Sequence, residues 1–90
     1  MCTDILEQAD INGSAKGPSS GAKGWLRVSR ANVTYDHPQH APFDHALSVD
    51  FVDAADPHGE RIAIELGADS ARELVAKILA ALASGKVAHL

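Results

Sequence analysis

Residues 61–84 read RIAIELGADSARELVAKILAALAS, and the hydrophobic period changes within this stretch. Up to Leu66 the apolar residues alternate, so Ile62, Ile64 and Leu66 share one side of an extended strand. After Leu66 they recur at intervals of three and four, which is the spacing of one face of a helix. The change predicts a strand followed by a helix with an apolar stripe. The stripe consists of Ala71, Leu74, Val75, Ile78, Leu79 and Leu82.

Apolar and polar residues also alternate over residues 45–52, which places Leu47, Val49 and Phe51 on one side of a strand. Residues 54–59 contain Asp, Pro and Gly, which are typical of turns. Because the two alternating segments are separated by so short a turn, they are expected to pair as an antiparallel hairpin.

A further strand is predicted over residues 25–35, which alternate in the same way. Its apolar side changes near Ser29, and a β-bulge at that point would account for the change. Strands followed by one helix predict an α+β fold. We expect a small antiparallel sheet of three or four strands with one C-terminal helix packed across it.

The chain has 90 residues, which is enough for one domain spanning its whole length. Residues 1–24 form an N-terminal segment, of which residues 1–11 fit a helical turn as well as a strand. Residues 12–24 are rich in Gly, Ser and Lys and predict a loop, because ordering glycine costs backbone entropy. The strands are expected within residues 25–66 and the helix over residues 70–84.

The ends of the predicted helix carry recognisable signals. Ser70 and Glu73 have the spacing of a capping box, and Asp69 is a rival N-cap. Gly85 is expected to end the helix in the left-handed conformation.

Composition excludes some classes of function. The net charge of −4 argues against a nucleic-acid-binding protein, which needs a basic surface. No apolar run approaches the roughly 20 residues that a transmembrane helix needs, and the N-terminus lacks the pattern of a signal peptide. A single cysteine forms no intrachain disulfide, which fits a reducing compartment. We therefore expect a cytoplasmic protein with no nucleic-acid or membrane partner.

The chemically distinctive stretch is DHPQHAPFDH, residues 36–45, which holds three of the five histidines. Neutral imidazole is the commonest transition-metal ligand, and Pro38 and Pro42 restrict the backbone between the histidines. We expect a divalent transition ion here, either zinc, copper, nickel or iron. Three histidines would leave a coordination position open, as in a metal-dependent enzyme acting on a small molecule. The candidate ligands are His37, His40, His45, Asp36 and Asp44.

Other functions fit the same residues, and whether the protein is an enzyme stays open. The histidines also suit the loop of a metal-free module that binds a small molecule or a protein. A cofactor-free lyase or isomerase would use Asp50 or a histidine as its base. Lys16 is a further catalytic candidate because it could meet an anion, and Cys2 because its thiol and a free α-amine could act together. For each of these residues, the alternative is an ordinary loop or surface position without a specific function.

The sequence also favours a homodimer. One helix covers one face of a small sheet, and apolar residues on the predicted strand 25–35 then need cover on the other face. These residues are Trp25, Ala31, Val33 and Tyr35.

Nearly the whole chain resembles a group of short actinobacterial proteins of unknown function. The resemblance implies no activity, but it implies that certain polar residues belong to the group's pattern. The matching motifs are Met1–Ile5, Gly13–Gly17, Gly24-Trp25, Tyr35–Leu47 and Ser70–Leu74. The polar residues of the pattern are Cys2, Lys16, His37, His40 and His45.

Overall fold

A computed structural model describes residues 5–16, 24–42, 44–56 and 58–88. The described elements are β1 (Leu6–Lys16), β2 (Trp25–Asp36), β3 (Ala46–Val52), β4 (Ile62–Leu66) and α1 (Ala68–Val87). The strands form one antiparallel sheet in chain order, so each strand pairs with the next one along the chain. The predicted α+β fold, a small antiparallel sheet with a C-terminal helix, is confirmed, with four strands.

The pairing register gives the sheet two chemically different faces, because alternate residues of a strand point to opposite sides. We refer to them as the apolar face and the polar face. The apolar face contains three rows across the strands: Val33, Val49 and Ile64 in the first, Ala31, Phe51 and Ile62 in the second, and Tyr35, Leu47 and Leu66 in the third. The polar face contains the row Gln8, Asn32 and Asp50 and the row Thr34, Ser48 and Glu65.

The N-terminal segment contains more strand than its composition predicts. β1 runs through residues 12–16, which were expected to form a loop, and the rest of that loop, residues 17–23, lies outside the described residues. Pairing with β2 supplies the backbone hydrogen bonds that offset the entropic cost of ordering a Gly-rich segment. A bulge is present, but it lies in β1 between Asp10 and Gly13, opposite Ser29, rather than in β2 itself.

The helix is longer than predicted at both ends. Its N-cap is Gly67, with no side-chain cap, so neither Ser70 nor Asp69 caps it. Only Gly67 separates α1 from the end of β4, and the helix therefore begins where the sheet ends instead of at the best capping sequence. Gly85 lies inside the helix and does not end it, since the C-cap is Ala88.

The beginning of α1 contacts the sheet, and the rest of its apolar stripe is exposed. Ala71 is 8% exposed, whereas Leu79 is 61% exposed. An open cleft of about 470 Å³ separates the start of the helix from Tyr35 and Leu47 on the apolar face. The buried apolar residues of the described chain are small, namely Val28, Ala31, Ala46 and Ala71. In the described part of the chain, no helix combines the length and the apolar character needed to cross a membrane.

Candidate functional site

The stretch 36–45, named here the histidine segment, connects two paired strands. β2 ends at Asp36 and β3 begins at Ala46, and these two residues are register partners. The hairpin therefore brings the ends of the connection, His37 and His45, together at one end of the sheet. Their rings stack with centroids 4.8 Å apart and an interplanar angle of 30°. The ring of His45 also stacks on Tyr35, with centroids 5.7 Å apart.

His37 is held in place by both aspartates of the segment. Its backbone N–H donates to Asp36 Oδ1 over 2.7 Å. Its ring Nδ1 lies 2.9 Å from the backbone carbonyl oxygen of Asp44, so Nδ1–H is the donor. In the neutral ring this leaves the lone pair on Nε2, where it is available to a proton, a ligand or a metal ion.

Glu65 on β4 anchors the middle of the connection. Its carboxylate accepts three backbone hydrogen bonds, from Gln39 at 2.5 Å and from His40 and Ala41 at 3.0 Å each. These bonds, led by the one from Gln39, hold the pKa of Glu65 below its ordinary value of 4.5, because they stabilise the ionised carboxylate. Sequence reasoning missed Glu65, which reads only as a polar position of an alternating strand.

The polar face forms an open groove of about 1180 Å³ that reaches the histidine segment. Two side-chain contacts connect neighbouring strands, or a residue directly before one, on the floor of this groove. Gln8 Nε2 donates to Asn32 Oδ1 over 2.9 Å. Arg61 donates to both oxygens of Asp50, with Nε 3.0 Å from Oδ1. The groove is also lined by Thr34, Asp36, His37, His40, Ser48 and Glu65.

The structure brings only part of the predicted metal set together. His37, His45, Asp36 and Asp44 meet at the hairpin ends, and His40 borders the groove. The two aspartates accept hydrogen bonds from His37, Asp36 through its side chain and Asp44 through its backbone carbonyl. Across the described ranges, no group of three His, Cys, Asp or Glu residues is arranged to hold a metal ion. The rings of His37 and His45 are stacked, and the lone pair of an imidazole nitrogen lies in the plane of its ring. The two lone pairs therefore do not converge on one point, and one ring must rotate before both can bind the same ion.

Two of the three catalytic candidates lie among the described residues, and of these Asp50 shares the groove with His37 and His40. Asp50 lies on the polar face with both oxygens bound by Arg61, which leaves its carboxylate engaged by a cation. Lys16 pairs with Trp25 at the far end of β2, about 35 Å along the strand from Asp36. Cys2 lies outside the described residues.

Comparison with known proteins places the chain in a family and assigns no activity to it. No curated protein and no solved structure matches the chain. A family model described as a family of unknown function, DUF6295, matches residues 1–90. Because that match covers the whole sequence, the chain belongs to this family of unknown function.

Proposed function

We propose that the protein binds a small polar molecule in the groove on the polar face of its sheet, without requiring a metal ion. The observation that supports this is the groove itself, in which hydrogen-bonding side chains from all four strands or their flanking residues line one open space. Binding sites for small molecules are typically concave and carry a few polar groups that fix the orientation of the ligand.

The chemistry of the groove favours a neutral or cationic ligand with several hydroxyl or amide groups. Asp36, Asp50 and Glu65 place three carboxylates on this side against the one guanidinium of Arg61, and the chain carries a net charge of −4, so an anion would be repelled. Thr34 and Ser48 are register partners and offer adjacent hydroxyl groups at the centre of the sheet. His37 Nε2 adds an acceptor at the edge of the groove.

The test is a titration followed by amide chemical shifts in NMR, with a panel of polyols, amides and amines and a matched set of carboxylates and phosphates. We expect shifts confined to the polar face for a neutral or cationic compound. Thr34→Val keeps the shape of the side chain and removes the hydroxyl, so it should weaken binding about 3- to 10-fold. Ser84→Ala on α1 is the matched control and should change nothing. Shifts located elsewhere, or equal affinity in Thr34→Val, would contradict the proposal.

A second candidate is the binding of a divalent transition ion, zinc, copper, nickel or iron, at His37. The observation that favours it is the hydrogen bond from Nδ1 to the Asp44 carbonyl, since metal-binding histidines usually donate their other ring N–H to such an acceptor. The ring of His45 is near enough to join after a rotation, and His40 borders the same space. An ion held by these three histidines would keep an open position for a substrate.

Calorimetric titration of zinc, copper, nickel and ferrous iron separates the two candidates. Metal binding at this site predicts micromolar or tighter affinity that His37→Ala or His40→Ala abolishes and that weakens in acid, because protons compete with the ion for imidazole nitrogen. His58→Ala, in an exposed turn, is the control and should leave affinity unchanged. If no heat of binding is measured, or if His37→Ala binds the ion as tightly as the wild-type protein does, the metal candidate is contradicted. The metal-free groove then remains as the proposed function.

Two further expectations concern the location and the source of the protein. The single cysteine, which forms no intrachain disulfide, supports a cytoplasmic location. The resemblance to short actinobacterial proteins supports an actinobacterial source.

A further inference from the structure

The apolar stripe of α1 has no cover within the described chain. The stripe spans about 140° of the helix circumference, which is the width of a core-facing surface. Leu79 and Leu82 are 61% and 66% exposed, and only Ala71 is buried. Leu74, Val75 and Ile78 are exposed as well. A soluble protein rarely leaves so long an apolar surface in water, so this stripe requires a partner.

The dimensions of the chain show how much surface such a partner could cover. The accessible surface is 7011 Å², whereas a compact monomer of 9.4 kDa is expected to expose about 5,000 Å². The radius of gyration is 14.9 Å, against about 12 Å for a compact chain of this length. Among the described residues, no large side chain is fully buried. The chain therefore exposes about 2,000 Å² more than a compact monomer, while a stable interface needs only about 800 Å² per partner.

We propose that a second copy of this chain covers the stripe, in a two-fold dimer that packs α1 against α1 and closes the clefts beside the apolar faces. The cleft at Tyr35 and Leu47 is open beside Val75, so a partner helix lying along the stripe can fill it. In such a dimer the apolar side chains of two thin cores form one core. The inference concerns the apolar side of the sheet and is independent of the ligand proposed for the polar face.

Charge and symmetry favour a second copy over other occupants. The stripe is uniformly apolar, so it complements itself across a two-fold axis, and two-fold dimers are the commonest oligomers. The ion pair between Lys77 and Glu73 lies on the opposite side of α1 from the stripe, where it stays in water. An anionic membrane surface would attract a helix with a basic polar face, and this chain has a net charge of −4.

Sedimentation equilibrium of the wild-type protein over a wide concentration range is the test. We expect twice the chain mass of 9.4 kDa and a melting temperature that rises with protein concentration. Leu79→Glu places a charge within the stripe and should raise the dissociation constant on the order of 100-fold. Ala80→Glu adds the same charge on the opposite side of α1 and should leave the dimer intact.

Each outcome decides the proposal. In a single chain Leu79 is already exposed, so glutamate there would leave a monomer folded, and unfolding of Leu79→Glu alone supports the dimer. A wild-type particle of 9.4 kDa at millimolar concentration would overturn it and point to a different partner or a lipid surface. Dimers that respond equally to Leu79→Glu and Ala80→Glu would place the interface elsewhere and also overturn it.

Discussion

Glu65 determines the path of a segment that lies about 25 residues before it in the chain. Three consecutive backbone N–H groups, of Gln39, His40 and Ala41, converge on its carboxylate. Prolines at positions 38 and 42 flank these residues, so the segment already has few conformations and loses little entropy when it is held. Glu65 therefore positions His40 at the edge of the polar groove without touching its ring.

Replacing Glu65 by Gln should loosen this segment. The neutral amide accepts weaker hydrogen bonds than the carboxylate, so the amides of Gln39, His40 and Ala41 should exchange with solvent faster in hydrogen-exchange NMR. Glu7→Gln makes the same chemical change on β1 and should leave those amides unaffected. Equal protection of the three amides in Glu65→Gln would show that the prolines alone hold the segment.

Acid should release the same contact in the wild-type protein. The pKa of Glu65 is lowered in the folded protein, so its stabilising contribution is present above the ordinary value of 4.5 and is lost as pH falls through the lower folded value. The amide shift of Gln39 should follow this titration, with a midpoint below 4.5. A midpoint at or above 4.5 would mean that the three hydrogen bonds do not favour the ionised form.

Two glycines differ in whether their backbone conformation requires glycine. Gly24 lies immediately before β2 and has a φ of 72°, in the left-handed region that residues with a Cβ avoid. Gly85 lies in the last turns of α1, where it contributes no Cβ contact and leaves open space. The same amino acid is thus required at one position for its backbone conformation and is replaceable at the other.

The two substitutions to alanine should have opposite signs. Gly85→Ala should stabilise the fold by about 0.5 kcal/mol, because alanine is the better helix former and meets no neighbour. Gly24→Ala should destabilise it by about 1 kcal/mol, because alanine resists positive φ. Urea denaturation measures both. Destabilisation by Gly85→Ala would mean that Gly85 ends the helix in solution, as the sequence pattern predicts.

At the scale of the molecule, the core formed by the described residues is thin and consists of small side chains. Val28 is 4% exposed and lies on β2 beyond the end of the pairing with β3. Near it, the Ser29 hydroxyl accepts from the N–H of Ala54 over 2.8 Å, which ties the turn after β3 back to β2. With so few buried groups, each one contributes a large share of the stability of a domain this small.

Val28→Ala should therefore lower the free energy of unfolding by about 2 kcal/mol, through lost burial and a residual cavity. Val87→Ala removes the same atoms from a residue that is 80% exposed and should change stability by less than about 0.5 kcal/mol. Chemical denaturation of both variants at one protein concentration makes the comparison. Equal effects would show that the core does not lie at Val28.

The sequence by itself determined the features that depend on local periodicity. The alternation in β3 and β4 and the stripe of α1 follow from neighbours two, three and four positions away, and a short turn forces sequential strands to pair. The observed pairing of β2 with β3 places His37 beside His45, since both residues flank the paired strand ends. Whether these histidines bind a metal ion stays a prediction.

Tertiary structure decided the features that depend on distant partners. Pairing with β2 made residues 12–16 a strand, and the end of β4 started α1 at Gly67 instead of at Ser70. The contact of Glu65 with the histidine segment joins residues that no local pattern relates. Backbone hydrogen bonds and buried contacts between distant segments outweigh propensities of a few tenths of a kcal/mol per residue, and only the folded chain shows which segments meet.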